Sequence, residues 1–325
     1  NLKAPAILTQ DFKKYLKYNF KKQGTLSHYN ISSIKNKPGL LTKALFDADV
    51  FITTRWPNKN IITTKLKLIQ IPAAGYDNIH FESVPTGCKV SNTFEHEIPM
   101  AEYCMLAMLE SEINLNKMNS QLRKGNWSGY FSSISFHGEL HNRNLGIIGF
   151  GHIGKEITKR ANAFGLKTTA IIRDITKYKT NNKINFVSIK NIKQKIHKFD
   201  YLIIACPLNE ETKDMINLKL IRNMKKNAVI INVARGPIIN EADLYIALKN
   251  KLIRGAIIDV WYNYPQNGSS KKLYPSKYPL HQLDNVTLSP HSSAWSHQLW
   301  DRRFKFICEN LENLYNNRRL KNIVS

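Results

Sequence analysis

Residues 145–154 read LGIIGFGHIG, the most informative segment of the sequence. A short apolar run ends in three glycines at the G-x-G-x-x-G spacing, and a helix-like segment then continues to residue 164. A second apolar strand is predicted at residues 167–172. Strand, tight turn, helix and second strand follow one another in the order that a dinucleotide site needs. The sequence therefore predicts cofactor binding here in preference to an ordinary glycine turn.

Each glycine of this stretch has its own predicted role. Gly149 makes the tight turn, Gly151 leaves room for a pyrophosphate because it has no Cβ, and Gly154 lets the helix pack close to the strand. The N–H groups at the start of the helix, around His152 and Ile153, are then expected to hold the phosphates together with the helix dipole.

The composition is that of a globular chain with two domains. Of the 325 residues, 42% are hydrophobic. A chain of this length usually folds into more than one domain, each with its own hydrophobic core. We expect no signal peptide and no apolar run long enough to span a bilayer, and hence a cytoplasmic location. The four cysteines, Cys88, Cys104, Cys206 and Cys308, are scattered, which predicts reduced thiols and no metal site.

The net charge of +24 raises the question of nucleic acid. The basic residues are spread along the chain, however, without an arginine-rich block or an aromatic ladder. Lys, Asn and Ile are abundant together, as an AT-rich coding sequence would give. We therefore expect neither a nucleic-acid nor a membrane partner, and expect the charge to attract small anionic substrates.

Strands and helices alternate twice along the chain, which predicts an α/β protein with parallel sheets. The first alternation has predicted strands at residues 4–8, 48–53, 66–71 and 89–92, and a helix carrying Phe12, Tyr15, Leu16 and Phe20. The second has predicted strands at residues 145–148, 167–172, 201–205, 228–233, 255–260 and 286–289, and helices near 152–164, 218–223 and 241–250. A long helix at 99–118 joins the two, and a terminal helix at 296–316 is expected to return to the first domain.

Several further motifs occur in a fixed order around the glycine stretch. They are AGYDNI at residues 74–79, Ala101-Glu102, Gly125-Asn126-Trp127, Cys206-Pro207-Leu208 with Thr212, NVARGP at residues 232–237, and Pro290-His291. In this order they resemble the D-isomer-specific 2-hydroxyacid dehydrogenases over nearly the whole chain. The resemblance implies two Rossmann-like, doubly wound parallel domains. A dinucleotide-binding domain at 99–294 is inserted into a flavodoxin-like substrate domain at 1–98 plus 295–325.

The chemistry of such an enzyme fits two residues that follow predicted strands. Arg235 and His291 both lie at carboxyl ends of strands, where an open α/β sheet places its ligand crevice. The planar, always charged guanidinium of Arg235 suits the carboxylate of a 2-oxo acid and polarises its carbonyl. His291 is the candidate that gives or takes the proton.

The other site residues come from the resemblance or from their neighbourhood to these motifs. Backbone N–H groups at Ala74 and Gly75 are expected to hold the substrate carboxylate. Further cofactor contacts are implied at Pro207, Thr212, Ala234 and Asp259.

The sequence departs from the family pattern at Tyr264, which stands where the family has a glutamate that holds the catalytic histidine. Tyrosine supplies no charge at neutral pH, so three explanations stay open. His291 works unaided or as a more neutral acid or base; another acid replaces the glutamate; or the substrate is not a typical 2-hydroxy acid. Glu95 and His96 are the place to look for a replacement, although helix-start chemistry before Pro99 explains Glu95, His96 and Glu97 as well.

A second departure concerns cofactor choice. NAD-specific members end the second strand with an acid that binds the ribose 2′-hydroxyl, whereas this position is Ile172, followed by Arg173. The sequence therefore predicts a preference for NADP(H), with NAD(H) possible. A shift of one residue would return Asp174 to the ribose.

Together these features predict a dehydrogenase or reductase of small 2-hydroxy or 2-oxo acids, such as glyoxylate, hydroxypyruvate or D-lactate. Two alternatives stay open: a dinucleotide-sensing interaction protein like the C-terminal-binding-protein corepressors, and a formate- or phosphite-type dehydrogenase. The family also implies a homodimer. The aromatic residues Trp127, Tyr130, Phe131 and Phe136 fit an interface loop or a cover folded back on the core.

Overall fold

The chain divides into two compact units, described here from a computed structural model. Unit 1 comprises residues 1–95 and 296–325, and unit 2 comprises residues 96–295. The predicted division was 1–98 plus 295–325 and 99–294. The structure describes residues 2–6, 24–28, 38–57, 61, 63–127, 130–131, 136–180, 183–265 and 272–324. The predicted helix with Phe12, Tyr15, Leu16 and Phe20 lies outside these residues.

Strands and helices alternate in both units, as the sequence predicts. The strands are β1 Leu2–Ala6, β2 Gly24–His28, β3 Val50–Ile52, β4 Leu68–Gln70, β5 Lys89–Ser91, β6 Asn144–Ile148, β7 Lys167–Ile172, β8 Asn185–Ser188, β9 Tyr201–Ile204, β10 Val229–Asn232, β11 Gly255–Ile258 and β12 Val286–Leu288. The helices are α1 Pro38–Phe46, α2 Glu97–Ile113, α3 Leu115–Leu122, α4 His152–Ala163, α5 Ile192–Lys195, α6 Leu218–Ile221, α7 Glu241–Lys249 and α8 His297–Tyr315.

Unit 1 is built on a parallel five-stranded sheet in the order β2-β1-β3-β4-β5. This is the flavodoxin-like order. Successive residues of a strand face opposite sides, so β3 sends Val50 and Ile52 to one core cluster and Phe51 to another. Both faces of the sheet are therefore covered, as parallel sheets require.

Helix α8 covers one face of this sheet. Its apolar residues Phe304, Ile307 and Leu311 pack with Val50 and Ile52. The side chain of Ser296 caps the helix by accepting a hydrogen bond from the N–H of Leu299, 3.2 Å away.

Unit 2 is built on a parallel seven-stranded sheet in the order β12-β11-β10-β9-β6-β7-β8. Counted from β6, this is the doubly wound order of a dinucleotide-binding sheet with one strand added. The order reverses between β6 and β9, so a ligand crevice is expected where these two strands end. The predicted fold class, α/β with Rossmann-like units, is confirmed.

The central strands β9, β10 and β11 of unit 2 are buried along their whole length because helices cover both faces of the sheet. On one face, Met100, Cys104 and Met108 of α2 and Ile157 of α4 pack over Ile147. The other face carries a second cluster, with Leu244 and Leu248 of α7 packed over Ile230. The two central helices, α2 and α4, also pack closely against each other.

The structure corrects several predicted elements. The helix predicted at 99–118 begins at Glu97 and ends at Ile113, where Asn114 turns left-handed at φ 58° and ψ 39° before α3 begins. Asparagine adopts this conformation more readily than most residues. Strand β8, strand β2 and helix α1 were not predicted from the sequence. β8 lies at the edge of its sheet and is only partly buried, so it lacks the apolar run of the other strands.

None of the helices in the part of the chain that the structure describes has the length and apolar character needed to cross a membrane.

Candidate active site

The glycine turn after β6, here called the cofactor loop and comprising residues 149–154, has the geometry predicted for its three glycines. Gly149 has φ 101°, and a Cβ there would lie 2.5 Å from the carbonyl oxygen of Ala205. A Cβ on Gly154 would lie 2.3 Å from the carbonyl oxygen of Gly149. Around Gly151, by contrast, a Cβ would meet nothing within 4 Å. Two glycines therefore permit close packing, and the third leaves open space.

This open space lies at the start of a full helix. Gly151 is the N-cap of α4, which runs for 12 residues from His152. Gly151 and His152 are exposed, and Ile153 is partly buried. The first N–H groups of a helix have no partner within it and carry its positive dipole end. An exposed helix start behind a side-chain-free position fits the pyrophosphate of a dinucleotide.

The segment after β9 lies beside the cofactor loop, and hydrogen bonds within it hold Pro207 and Thr212. The Thr212 hydroxyl donates to the carbonyl of Pro207 at 2.8 Å and accepts from the N–H of Asn209 at 2.8 Å. The residues before Pro207 approach Gly149 closely, because the N–H nitrogen of Cys206 is 3.0 Å from a Cβ built on that glycine. The predicted cofactor residues Pro207 and Thr212 thus belong to the segment that leaves β9 next to Gly149.

The end of β7 carries the residues that the sequence predicts to choose between a ribose hydroxyl and a ribose phosphate. Arg173 is exposed and lies 3.6 Å from the carboxylate of Glu211. The carboxylate of Asp174 accepts hydrogen bonds from the N–H and the hydroxyl of Thr176, at 2.9 and 2.6 Å. These hydrogen bonds lower the pKa of Asp174. Lys177 lies 3.8 Å from the same carboxylate.

Arg235 lies just beyond the end of β10, where Asn232 fixes the backbone. The Asn232 side chain accepts from the N–H of Ala234 at 3.1 Å and donates to the carbonyl of Arg235 at 3.0 Å. The Arg235 guanidinium donates to the carbonyl of Ala234 at 2.8 Å. A Cβ at the next residue, Gly236, would lie 2.5 Å from the carbonyl oxygen of Trp261. Glycine is needed there because the segments after β10 and β11 approach closely.

The loop after β12, here called the catalytic loop and comprising residues 289–293, carries His291 in a left-handed conformation with φ 57°. Asp259, which is fully buried, fastens this loop. One carboxylate oxygen accepts from the Ser289 hydroxyl at 2.5 Å and from the N–H of Ser292 at 2.8 Å. The other accepts from the N–H of Ser293 at 3.0 Å.

These contacts revise the interpretation of Asp259. The sequence suggests a cofactor contact for this residue, but both of its oxygens bind the catalytic loop. Reasoning from the sequence misses this use because Asp259 and the loop are about thirty residues apart. The available signal was the three serines around His291, at positions 289, 292 and 293.

Tyr264 does lie beside His291, with ring centroids 5.5 Å apart and an interplanar angle of 52°. Its hydroxyl accepts from the N–H of Trp261 at 2.9 Å. Burial raises the pKa of Tyr264, so the phenol stays neutral at physiological pH. The pKa of His291 is lowered from its ordinary value. Burial is the largest cause, Asp259 opposes it, and Arg235 lowers the pKa further.

In unit 1 the predicted substrate segment follows β4. The carbonyl of Ala74 accepts from the Asn92 side chain at 2.8 Å, and the carbonyl of Ala73 accepts from the N–H of Thr93 at 3.0 Å. Ala74 and Gly75 are partly buried. The carbonyls on this segment are therefore tied to the strand-end residues of β5, which fixes its backbone.

Glu95 and His96 fall on different units, because unit 1 ends at Glu95 and unit 2 begins at His96. Glu95 has φ 71°, and Arg302 of α8 binds both its carbonyl, at 3.0 Å, and its carboxylate, at 3.5 Å. In unit 2, the carboxylate of Glu97 lies 3.8 Å from His96 and 4.0 Å from His152. Each carboxylate thus has a basic neighbour within its own unit.

No group of three or more His, Cys, Asp or Glu side chains suited to a metal ion occurs among the residues that the structure describes. The cysteines Cys88, Cys104, Cys206 and Cys308 are free thiols, and burial raises the pKa of each.

Comparison with known proteins gives a consistent result. Residues 105–293 match the family model of the D-isomer-specific 2-hydroxyacid dehydrogenase NAD-binding domain. The chain is 31% identical over 292 residues to D-3-phosphoglycerate dehydrogenase of Methanocaldococcus jannaschii, a match covering 88% of the chain but only 53% of that protein. It is 33% identical over 232 residues to hydroxypyruvate reductase of Thermotoga maritima, covering 70% and 71%.

Further similarities lie in the same group. Glyoxylate reductase of Korarchaeum cryptofilum is 30% identical over 250 residues, covering 76% of the chain and 72% of that protein. Among solved structures, D-2-hydroxyisocaproate dehydrogenase superposes with a TM-score of 0.80 at 22% identity, covering 99% of both chains. At this identity, the structural similarity shows the fold alone.

Proposed function

Because this chain belongs to the D-isomer-specific 2-hydroxyacid dehydrogenase family, whose members are oxidoreductases, we propose that it transfers a hydride between NADP(H) or NAD(H) and a small 2-oxo or 2-hydroxy acid. The observation that carries this proposal is the pair Arg235 and His291. They follow β10 and β12 of one sheet and lie close enough for the charge of Arg235 to lower the pKa of His291. A carboxylate clamp and an acid–base group are what such a reaction needs.

Each of these residues has a definite task. Arg235 binds the substrate carboxylate and polarises the carbonyl at C2. In reduction, His291 donates a proton to the carbonyl oxygen; in oxidation, it accepts the proton of the hydroxyl. Reduced nicotinamide supplies the hydride when it is bound, and the cofactor loop with its helix start holds the dinucleotide.

The lowered pKa of His291 sets the expected pH dependence. Reduction requires the imidazolium, which is lost as pH rises through a pKa below the ordinary value. Oxidation requires the neutral ring, which predominates at neutral pH. We therefore expect reduction to be favoured by acidic pH and oxidation to persist at neutral and alkaline pH.

The contacts favour one of the three explanations for Tyr264, namely that His291 works without a carboxylate partner in the glutamate position. Tyr264 is neutral, and its ring lies tilted beside the imidazole. Glu95, the candidate replacement, has Arg302 as a partner. The charge of Asp259 raises the pKa of His291, but the Asp259 carboxylate binds the backbone of the catalytic loop.

We also propose that NADP(H) is preferred over NAD(H). Arg173 is exposed at the end of β7, where a 2′-phosphate would be recognised, and Ile172 offers no carboxylate to a ribose hydroxyl. Asp174, the residue that favours NAD(H), is engaged with Thr176. Glu211 offsets part of the charge of Arg173.

The proposed assembly is a homodimer that binds a small anionic substrate and no nucleic acid. Large apolar side chains are exposed along α2, α3 and the following segment: Leu106, Leu115, Leu122, Trp127, Tyr130, Phe131 and Phe136. Phe131 and Phe136 are 85% and 92% exposed, which favours the interface over a cover folded back on the core. Such a surface is typical of an interface. A monomer by size-exclusion chromatography with light scattering would refute the dimer. The cytoplasmic location stays a prediction.

The experiment that tests the function is a panel of 2-oxo acids assayed with NADPH and NADH. Glyoxylate, hydroxypyruvate and pyruvate are the first substrates, and formate and phosphite with the oxidised cofactors test the other reactions. We expect turnover of at least one 2-oxo acid. Tight dinucleotide binding without any turnover would refute the enzyme and favour the sensing protein, while oxidation of formate or phosphite would replace the proposed substrate class.

A further inference from the structure

A line of hydroxyl groups leads from helix α2 to the carboxylate behind the catalytic loop. The Tyr103 hydroxyl lies 2.7 Å from the Ser289 hydroxyl, which lies 2.5 Å from the carboxylate of Asp259. Asp259 also accepts hydrogen bonds from the N–H groups of Ser292 and Ser293, which follow His291 in the chain. Tyr103, Ser289 and Asp259 come from three separate elements of unit 2, namely α2, the end of β12 and the end of β11.

The chemistry of the groups fixes the direction of this line. A carboxylate that takes two backbone N–H groups is acting as an acceptor, so the Ser289 hydroxyl donates to it. The single proton of Ser289 is then in use, and Tyr103 must donate to the Ser289 oxygen. Burial raises the pKa of Tyr103 to about 12, so its phenol keeps this proton throughout the working pH range. Tyr103 is therefore the outermost donor of an ordered chain.

The catalytic loop needs such support because of its backbone. His291 has a positive φ, which is uncommon for a residue with a side chain and persists only where the surroundings impose it. The hydrogen bonds to Asp259 come from residues on both sides of His291. The position of the imidazole therefore depends on how firmly the Asp259 carboxylate is held.

We propose that Tyr103 is a positioning residue for His291, acting through Ser289 on Asp259. Its hydroxyl orients Ser289 toward the carboxylate, and the oriented carboxylate holds the left-handed turn that presents the imidazole. The two hydroxyl dipoles also offset part of the charge of Asp259. The inference rests on the proposed function for its consequence in turnover, but the hydrogen-bond chain itself can be tested without turnover.

The test compares Tyr103→Phe, Ser289→Ala and the double variant. Each single change breaks the same chain, so we expect each to lower kcat for glyoxylate reduction by about fivefold to tenfold, the effect of one buried hydrogen bond. The KM for NADPH stays unchanged. The double variant is no slower than the slower single one, because the chain is already broken. Ser289→Thr, which retains the hydroxyl, recovers part of the rate that Ser289→Ala loses.

A second readout follows the imidazole of His291 by NMR titration of the full chain. Loss of the hydroxyl dipoles leaves the charge of Asp259 less offset, so the pKa of His291 rises in both single variants. The rise is smaller in Tyr103→Phe, where Ser289 still donates to Asp259, and the double variant shows no larger rise than Ser289→Ala. The matched control is Tyr201→Phe, because Tyr201 is a second phenol of unit 2 whose pKa is raised to about 12 by burial, but it donates to Glu112. We expect this control to lower the thermal midpoint and to leave the His291 titration unchanged.

Three outcomes overturn the proposal: a wild-type titration in Tyr103→Phe, effects of the two single changes that multiply in the double variant, or an equal shift in Tyr201→Phe. Failure of the proposed function is separate. In that case the wild-type chain turns over none of the 2-oxo acids, while the titration of His291 still decides whether Tyr103 acts on it.

Discussion

The cofactor loop and the catalytic loop lie at the carboxyl edge of the same seven-stranded sheet, but they are held in opposite ways. The cofactor loop depends on side chains that are absent: Gly149 and Gly154 permit backbone contacts that a Cβ would block. The catalytic loop depends on a side chain that is present. Asp259, fully buried, binds three groups of the loop around His291.

This difference separates what each loop contributes. The cofactor loop is marked by three glycines that lie within a few residues of one another, and changes in it should alter dinucleotide binding. The catalytic loop is assembled from residues far apart along the chain, such as Tyr103, Asp259 and Ser289. Changes in it should alter proton transfer and its pH dependence while cofactor affinity stays the same.

The largest effect is expected from His291→Asn. Asparagine tolerates a positive φ, so the catalytic loop should keep its shape while the acid–base group is lost. We expect kcat to fall by about 100- to 10,000-fold, the usual contribution of general acid–base catalysis, with the Kd for NADPH unchanged. Steady-state kinetics and fluorescence titration measure the two quantities. A variant with full turnover would remove His291 from the mechanism.

Two alanine substitutions in the cofactor loop test whether its glycines serve dinucleotide binding or packing. Gly151→Ala has room in the protein and a negative φ, so we expect a wild-type unfolding midpoint but at least about tenfold weaker NADPH binding, or about 1.4 kcal/mol. Gly149→Ala is the matched control, since its φ of 101° and the contact with Ala205 should cost about 1–3 kcal/mol of stability. Unchanged NADPH affinity in Gly151→Ala would mean that the pyrophosphate lies elsewhere.

The same difference explains how far the sequence predicts the structure. The doubly wound sheet, the three glycines, Arg235 and His291 follow from short patterns along the chain, and the family and its oxidoreductase class are confirmed. The support of His291 does not follow from such patterns. Tyr103 belongs to a helix whose sequence shows only an apolar face, and only folding brings its hydroxyl to Ser289. Strand β8 was missed for a related reason, because a partly exposed edge strand has no apolar run.

Tyr264→Glu tests whether the catalytic loop lacks a charge that the family normally supplies. A carboxylate beside the imidazole favours its protonated form, so the pKa of His291 should rise. Reduction needs the imidazolium, so its activity should persist to higher pH than in the wild type. Oxidation needs the neutral ring, so on acidification its activity should begin to fall at a higher pH than in the wild type. Tyr264→Phe is the control and should leave both limbs in place. Absence of any shift in Tyr264→Glu would show that this position does not tune His291.

The smallest effect is expected at Arg173. This is the one part of the proposed dinucleotide site where a charged side chain, and not a missing one, is expected to choose the ligand. Arg173 is 75% exposed and lies near Glu211, so solvent and the neighbouring carboxylate both reduce its effect. We expect Arg173→Ala to lower the ratio of kcat/KM for NADPH over NADH by roughly three- to tenfold, because an exposed ion pair contributes only about 1 kcal/mol.

Glu211→Gln provides the matched control, since it removes the opposing charge and should shift the same ratio toward NADPH. Both shifts should shrink as ionic strength rises, because exposed charges are screened. Equal shifts at low and high salt would indicate that Arg173 acts through the shape of the site. A wild-type ratio that favours NADH would contradict the proposed preference and return the decision to Asp174, which would then have to leave Thr176 to bind the ribose.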